Sequence, residues 1–140
     1  MSTFICIFIF SVLILILEFF VIKNIVYKFI CLGLFLLSII MEILTYLINP
    51  GTTFKENNRE GSPHHCGICK FTYPKSSKKY EHCSSCEVCI AGADHHCGVF
   101  EKCIGRKNLI CFYLFPVFSM ALLIVFFVSL FHKVAKKAKE

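Results

Sequence analysis

Between Cys66 and Cys103 the chain spaces thiols and imidazoles in the way a metal site needs them. The donors read Cys66-x-x-Cys69, then His82-Cys83-x-x-Cys86-x-x-Cys89, then Asp94-His95-His96-Cys97, then Cys103. A Cys-x-x-Cys turn brings two sulfurs into one small volume and can supply two corners of a tetrahedral zinc site. Two such pairs are present, and Cys89 continues their register. Disulfides are the competing staple for a segment with so small a core. Histidines in step with the cysteines favour zinc, as do thiols kept reduced if the segment faces the cytosol.

Two closed tetrahedral sites, with four donors each, are filled by Cys66, Cys69, Cys83, Cys86, Cys89 and Cys103 together with His82 and His96. Asp94, His95 and Cys97 are then left without a structural task, within four positions of one another. A thiol beside an imidazole and a carboxylate makes a nucleophile. The base takes the thiol proton, and the carboxylate fixes the base's tautomer and stabilises its charge. The plainer alternative is that one of the three is an extra ligand or a surface residue. His64 and His65, beside Cys66, could stand in for a zinc ligand.

The elements that must position these residues belong in lipid. Hydrophobic residues make up 56% of the 140, charged residues only 17%, and the mean hydropathy is +0.69; ordinary globular domains carry about a quarter charged residues. A chain this short cannot hide so much apolar surface in its own interior. Three apolar runs, 4–22, 29–48 and 109–131, reach the roughly 20 residues that a bilayer crossing takes. The first has no basic leader and no small-residue cleavage site, and is expected to be a retained anchor. The short link holding Lys23, Asn24 and Lys28 makes the first two runs an antiparallel helical hairpin, because only helices satisfy their backbone groups in lipid. Pro116 should kink the third helix. Glu18 and Glu42 lie inside the spans, where a carboxylate is a functional candidate; the plainer reading is a protonated or snorkelling side chain.

Asn49-Pro50-Gly51 ends the second helix. From there to Asn108 the chain shows no period of 2 or 3.6 and no repeat beyond the recurring Cys-x-x-Cys, so a loop-rich domain is expected. The predicted fold is therefore an all-α membrane protein: a transmembrane hairpin over 1–48, a Cys/His domain over 49–108, a third transmembrane helix over 109–131 and a basic tail over 132–140. The tail carries Lys133, Lys136, Lys137 and Lys139 and reads as a juxtamembrane basic segment. The net charge of +6 is scattered, and the sixteen phenylalanines lie along the apolar runs, away from basic residues. No base-stacking platform results, and no nucleic-acid partner is expected. Cys6, Cys31 and Cys111 read as soft packing residues, with Cys111 a lesser acyl-acceptor candidate. His132 is expected at the membrane interface, and Asn108 as a cap or anchor of the third helix.

The stretch His82-Cys83-x2-Cys86-x2-Cys89-x4-Asp94-His95-His96-Cys97-x5-Cys103-x4-Asn108-x3-Phe112 resembles the DHHC protein palmitoyltransferases in spacing, and Asn49-Pro50-Gly51 is similar to their Asp-Pro-Gly. The resemblance implies two interleaved structural zinc ions, one on Cys66, Cys69, His82 and Cys89, the other on Cys83, Cys86, His96 and Cys103. It implies Cys97 as the acyl-accepting nucleophile, His95 as its base and Asp94 as the orienting carboxylate. The implied reaction takes a fatty acyl group from palmitoyl-CoA onto the cysteine and passes it to cysteines of substrate proteins, with the chain held between membrane helices. Lys102, Arg106 and Lys107 could meet CoA phosphates; flanking positive charge for the third helix is an equal alternative. The implied setting is an endomembrane (ER or Golgi) bilayer with the zinc domain facing the cytosol.

Several departures from the family pattern bear on that expectation. Gly98 and Val99 stand where Pro-Trp is usual, the spacer from Cys69 to His82 is three residues longer, and the Lys/Arg-Pro element is reduced to Tyr73-Pro74-Lys75. A fourth span and the Thr-Thr-x-Glu element beyond it do not occur. A three-helix acyl cavity is expected to stay partly open unless a second copy or an accessory subunit closes it. The alternative class is a catalytically inactive zinc-binding membrane adaptor of acyltransferases. A cytosolic loop also sends the four tail lysines to the lumenal side, against the positive-inside expectation, whereas the loop's own nine Lys/Arg favour that orientation. Either the tail is tolerated there, or the last helix does not span as drawn, or the chain is a shortened derivative.

Overall fold

The computed structural model describes residues 2–52, 65–69, 71–72 and 80–139, with the backbone alone for 2–4, 65, 71 and 72. His64 and the Tyr73-Pro74-Lys75 element lie outside the described residues, as does the side chain of His65. Among the described residues there are three helices, α1 (Ser2–Val21), α2 (Ile25–Leu47) and α3 (Leu109–Lys137), and, between α2 and α3 in sequence, six short strands. The chain divides into two compact units, Met1–Ile43 with Cys111–Glu140, and Leu44–Ile110.

In the helical unit, Ile14, Ile22, Cys31 and Leu122 form a small buried cluster. Ser38 and Ser119 hydroxyls meet at 2.7 Å. Two helices, α2 and α3, are long and apolar enough to cross a membrane, and only 6% of the apolar window of α3 is buried. Surface this apolar and this exposed has lipid as its solvent. The apolar part of α1 described with side chains, Ile5–Val21, falls short of that length, so the structure supports two spans plus a further helix where three spans were expected. α2 begins four residues earlier than the apolar run, because Asn24 Oδ1 accepts the Val26 amide at 2.9 Å as an N-cap. α3 runs unbroken past Pro116 and continues to Lys137. Most of the expected tail is thus helix, with Lys136 and Lys137 in the last turn, where cations suit the helix dipole. Glu18 and Glu42 are each 1% exposed; among the described residues the Glu42 carboxylate has no hydrogen-bond partner, and Glu18 faces the Cys31 thiol.

The second unit corrects the all-α, loop-rich expectation. It contains three antiparallel hairpins: β1 (His65–Cys66) with β2 (Phe71–Thr72), β3 (Tyr80–Cys83) with β4 (Val88–Ala91), and β5 (Ala93–Cys97) with β6 (Lys102–Gly105). Strands of two to five residues are too short to print a period-2 signal, which is why the sequence pattern concealed them.

The three registers coincide. Cys66 pairs with Phe71, Cys83 with Val88 and Cys97 with Lys102, each closing a four-residue turn. One step back, His65 pairs with Thr72, His82 with Cys89 and His96 with Cys103. The last turn residue of the second and third hairpins, Glu87 (φ 55°) and Glu101 (φ 48°), is left-handed in both. The chain therefore does contain a repeat, His-Cys-x-x-(Cys/Phe)-x-x-(Cys/Thr). Ile90 of the second hairpin and Ile104 and Phe100 of the third are buried, all at most 4% exposed.

Candidate metal and thiol site

Strand alternation explains why one repeat serves two sites. Neighbouring residues in a strand point to opposite faces, so His82 and Cys83 leave β3 in different directions, as do His96 and Cys97 on β5. The outcome is two four-donor clusters: Cys66, Cys69, His82 and Cys89, and Cys83, Cys86, His96 and Cys103, the donor atoms of each lying within 4.8 Å of one another. Each cluster takes the Cys-x-x-Cys turn of one hairpin and the cross-strand His/Cys pair of the next.

The spacing within the clusters suits zinc. With Zn–S near 2.3 Å and Zn–N near 2.0 Å, tetrahedron edges are about 3.8 Å between sulfurs and about 3.5 Å between sulfur and nitrogen. His82 Nδ1 lies 3.2 Å from Cys69 Sγ and 3.8 Å from Cys89 Sγ. His96 Nδ1 lies 3.5, 3.4 and 3.7 Å from the sulfurs of Cys83, Cys86 and Cys103. All ten cysteines are free thiols. A disulfide reading of this segment is not what the geometry gives.

Electrostatics point the same way. The Cys69 amide donates to Cys66 Sγ at 3.4 Å and, with the Ile68 amide, holds the Cys66 thiol below the usual range. Burial pushes the Cys83 thiol up, but hydrogen bonds from the Cys103 thiol and the Cys86 and Ser85 amides outweigh it, bringing it down to about 7. Cys103 is pushed well up, by burial first and then by the Cys83 and Cys86 sulfurs. Three packed sulfurs resist becoming three thiolates unless a cation sits among them.

Cys97 falls in neither cluster. It is 8% exposed, and His95, two residues earlier, shares its strand face. His95 Nδ1 meets Asp94 Oδ2 at 2.9 Å. Adjacent residues of a regular strand could not do this; the register slips between Ala93 and His95, and the bulge turns Asp94 back onto its neighbour. Both side chains are exposed.

The three expected phosphate-binding cations separate. Lys102 Nζ donates to the carbonyls of Tyr46 and Ile48, the latter at 2.7 Å, and burial pulls its ammonium below the usual range. It caps the last turn of α2, where the dipole favours a cation. Arg106 and Lys107 are exposed.

Asn108 does not cap α3 by its side chain. It is fully buried, accepts the Gly105 amide at 2.9 Å, and donates to the carbonyls of Thr45 (3.3 Å) and Cys103 (3.2 Å). Asn49 Oδ1 likewise accepts the Gly51 and Thr52 amides at 2.8 Å each, setting the Asn-Pro-Gly turn against β4 through Ala91 N to Gly51 O at 2.9 Å. Sequence reasoning missed this bracing, along with Phe100 and the bonds of Lys102 to the Tyr46 and Ile48 carbonyls. The only available signal was the repeat itself, offset by fourteen residues from Cys83 to Cys97.

The hairpins carry two Cys/His clusters that could each hold a metal ion, and residues 59–140, more than half of the chain, match the DHHC palmitoyltransferase family. The chain belongs to that family. It is 43% identical over 70 residues to palmitoyltransferase SWF1 of Saccharomyces cerevisiae, covering 46% of this chain and 20% of that protein. It is 35% identical over 86 residues to palmitoyltransferase swf1 of Schizosaccharomyces pombe (54% and 23%), and 38% identical over 74 residues to palmitoyltransferase ZDHHC9 of Homo sapiens (52% and 19%). The matched region is thus no more than 23% of the length of these relatives.

Proposed function

We propose that the chain is a protein-cysteine S-palmitoyltransferase acting at a membrane, with its hairpin unit on the cytosolic side of an endomembrane, where thiols stay reduced. The observation that carries this reading is that six of the seven cysteines from Cys66 to Cys103 fall into the two four-donor clusters and Cys97 does not.

Two zinc ions would be held by Cys66, Cys69, His82 and Cys89 and by Cys83, Cys86, His96 and Cys103. Closed sites of this kind supply shape, with no open position for substrate. The chemistry falls to the chain's own residues. Asp94 on Nδ1 leaves Nε2 of His95 to take the Cys97 proton. The Cys97 sulfur then attacks the thioester carbonyl of palmitoyl-CoA, and the CoA thiolate leaves, taking the proton from His95. In the second step His95 removes a proton from a substrate cysteine, whose sulfur attacks the acyl carbonyl; Cys97 leaves as the thiolate and takes that proton back from His95. Arg106 and Lys107 are the exposed cations left to meet CoA phosphates. An accessory subunit or a second copy would complete the acyl cavity.

The test incubates purified protein with labelled palmitoyl-CoA, comparing wild type with Cys97→Ser. Hydroxylamine-sensitive label in the wild type alone supports the enzyme. Equal labelling of both, or none in either, leaves a zinc-stabilised membrane adaptor.

A further inference from the structure

The clusters form a ladder in which each hairpin's Cys-x-x-Cys turn is completed by the His/Cys pair of the following hairpin. The turn of β1–β2 (Cys66, Cys69) is completed by His82 and Cys89, and the turn of β3–β4 (Cys83, Cys86) by His96 and Cys103. The β5–β6 hairpin repeats the same register, turn length and left-handed final turn residue. Its turn pair would be Cys97 and residue 100. There the ladder stops: position 100 is Phe, and the chain enters α3 at Leu109 instead of forming a fourth hairpin.

We propose that the β5–β6 hairpin is a metal knuckle lacking one donor, and that Phe100 is the residue that keeps Cys97 a free thiol. The geometry of the second hairpin shows what Cys97 would otherwise do. Cys83 occupies the same place, across its ladder from Val88 as Cys97 is across from Lys102, and Cys83 belongs to a four-donor cluster through its partner Cys86. Phe100 stands where that partner stands. Its side chain is 4% exposed and Cys97 is 8% exposed, so both positions of the third turn are buried, and only one of them carries a sulfur where the second turn carries two. An aromatic ring offers zinc no donor and closes the space beside the thiol. His95, two residues earlier on the same strand, offers an imidazole, and one thiol with one imidazole falls short of a closed site.

This inference rests on the proposed function only for the importance of a free Cys97; its own readout is a metal count. Full-length protein is purified in a mild detergent with reductant, as wild type, Phe100→Leu, Phe100→Cys, Phe100→His and Phe100→Cys with Cys97→Ser. Bound zinc is measured, and cobalt is titrated by its thiolate charge-transfer absorption. Wild type and Phe100→Leu should hold two equivalents. Phe100→Cys should gain a third, weaker equivalent that the added Cys97→Ser removes. Phe100→His, which keeps a ring of similar size, should do the same and serves if the cysteine variant does not fold. In zinc, acyl uptake by the variants that gain an ion should drop at least ten-fold and recover when a mild chelator strips that ion alone; Phe100→Leu should stay within a few-fold of wild type. Two equivalents in both donor variants would overturn the proposal, as would a third ion that survives Cys97→Ser. A wild type that binds two ions and takes up no acyl label would defeat the enzymatic reading while leaving the metal count decisive.

Discussion

Asp94 Oδ2 lies 2.9 Å from His95 Nδ1, a contact between chain neighbours that exists because the β5–β6 register slips between Ala93 and His95. Asp94 is a donor in neither metal cluster, so its removal separates chemistry from metal binding. Asp94→Asn is expected to keep two zinc equivalents and to slow acyl uptake about 10³-fold, because an amide neither stabilises the imidazolium nor enforces the tautomer. Single-turnover labelling with palmitoyl-CoA measures the rate, and metal analysis checks the fold. Full-speed labelling by Asp94→Asn would remove the carboxylate from the mechanism.

Metal retention should depend steeply on pH. Binding requires thiolates, so protons compete with the ion and affinity falls as pH falls. The depressed thiols, Cys66 and Cys83 (about 7), contribute stability that is full above the unfolded thiol range and is lost as pH falls through their folded values. Against a fixed chelator concentration, zinc loss should therefore rise as pH drops from about 8 to about 6. Release that is flat across that window would argue that thiolates are not the donors.

The donors themselves were legible in the sequence, because a tetrahedral ion demands particular residue types at narrow spacings and few other structures place Cys66, Cys69, Cys83 and Cys86 so. The second and third apolar runs were legible for a similar reason, since bilayer thickness sets the length to look for; the first, as described, falls short of it. The hairpins were not, since Phe71–Thr72 or Lys102–Gly105 is too short to show alternation. Phe100 was invisible as a functional residue because its contribution is the lack of a sulfur, which only the shared register exposes. The bonds from Lys102 to the backbone carbonyls of Tyr46 and Ile48, more than fifty positions away, were not legible, because carbonyls leave no mark on a sequence.

Glu87 carries a left-handed backbone (φ 55°) at the end of the β3–β4 turn, a conformation that costs a residue with a Cβ and costs glycine nothing. Glu87→Gly should stabilise the metal-loaded protein by about 0.5–1 kcal/mol. Chemical unfolding followed by zinc release reads the gain. Glu87→Ala, which keeps the Cβ, should give no such gain; an equal gain from both would place the effect in the lost charge and not in the backbone.

Gly105 leaves no room for a side chain: a Cβ there would sit 2.5 Å from the Pro50 carbonyl oxygen and 2.8 Å from Ile90 Cγ2. The same strand end is held by Asn108, which accepts the Gly105 amide and donates to Thr45 and Cys103. Gly105→Ala must push Pro50 away or distort β6, at about 1–3 kcal/mol. Asn108→Ala strands one buried donor and two acceptors, at about 2–4 kcal/mol. Because both act on one brace, the double variant should lose less than the two single losses combined. Thermal unfolding of the four proteins in detergent gives the coupling. Strict additivity would show that the Asn-Pro-Gly turn and Asn108 hold β6 independently of each other.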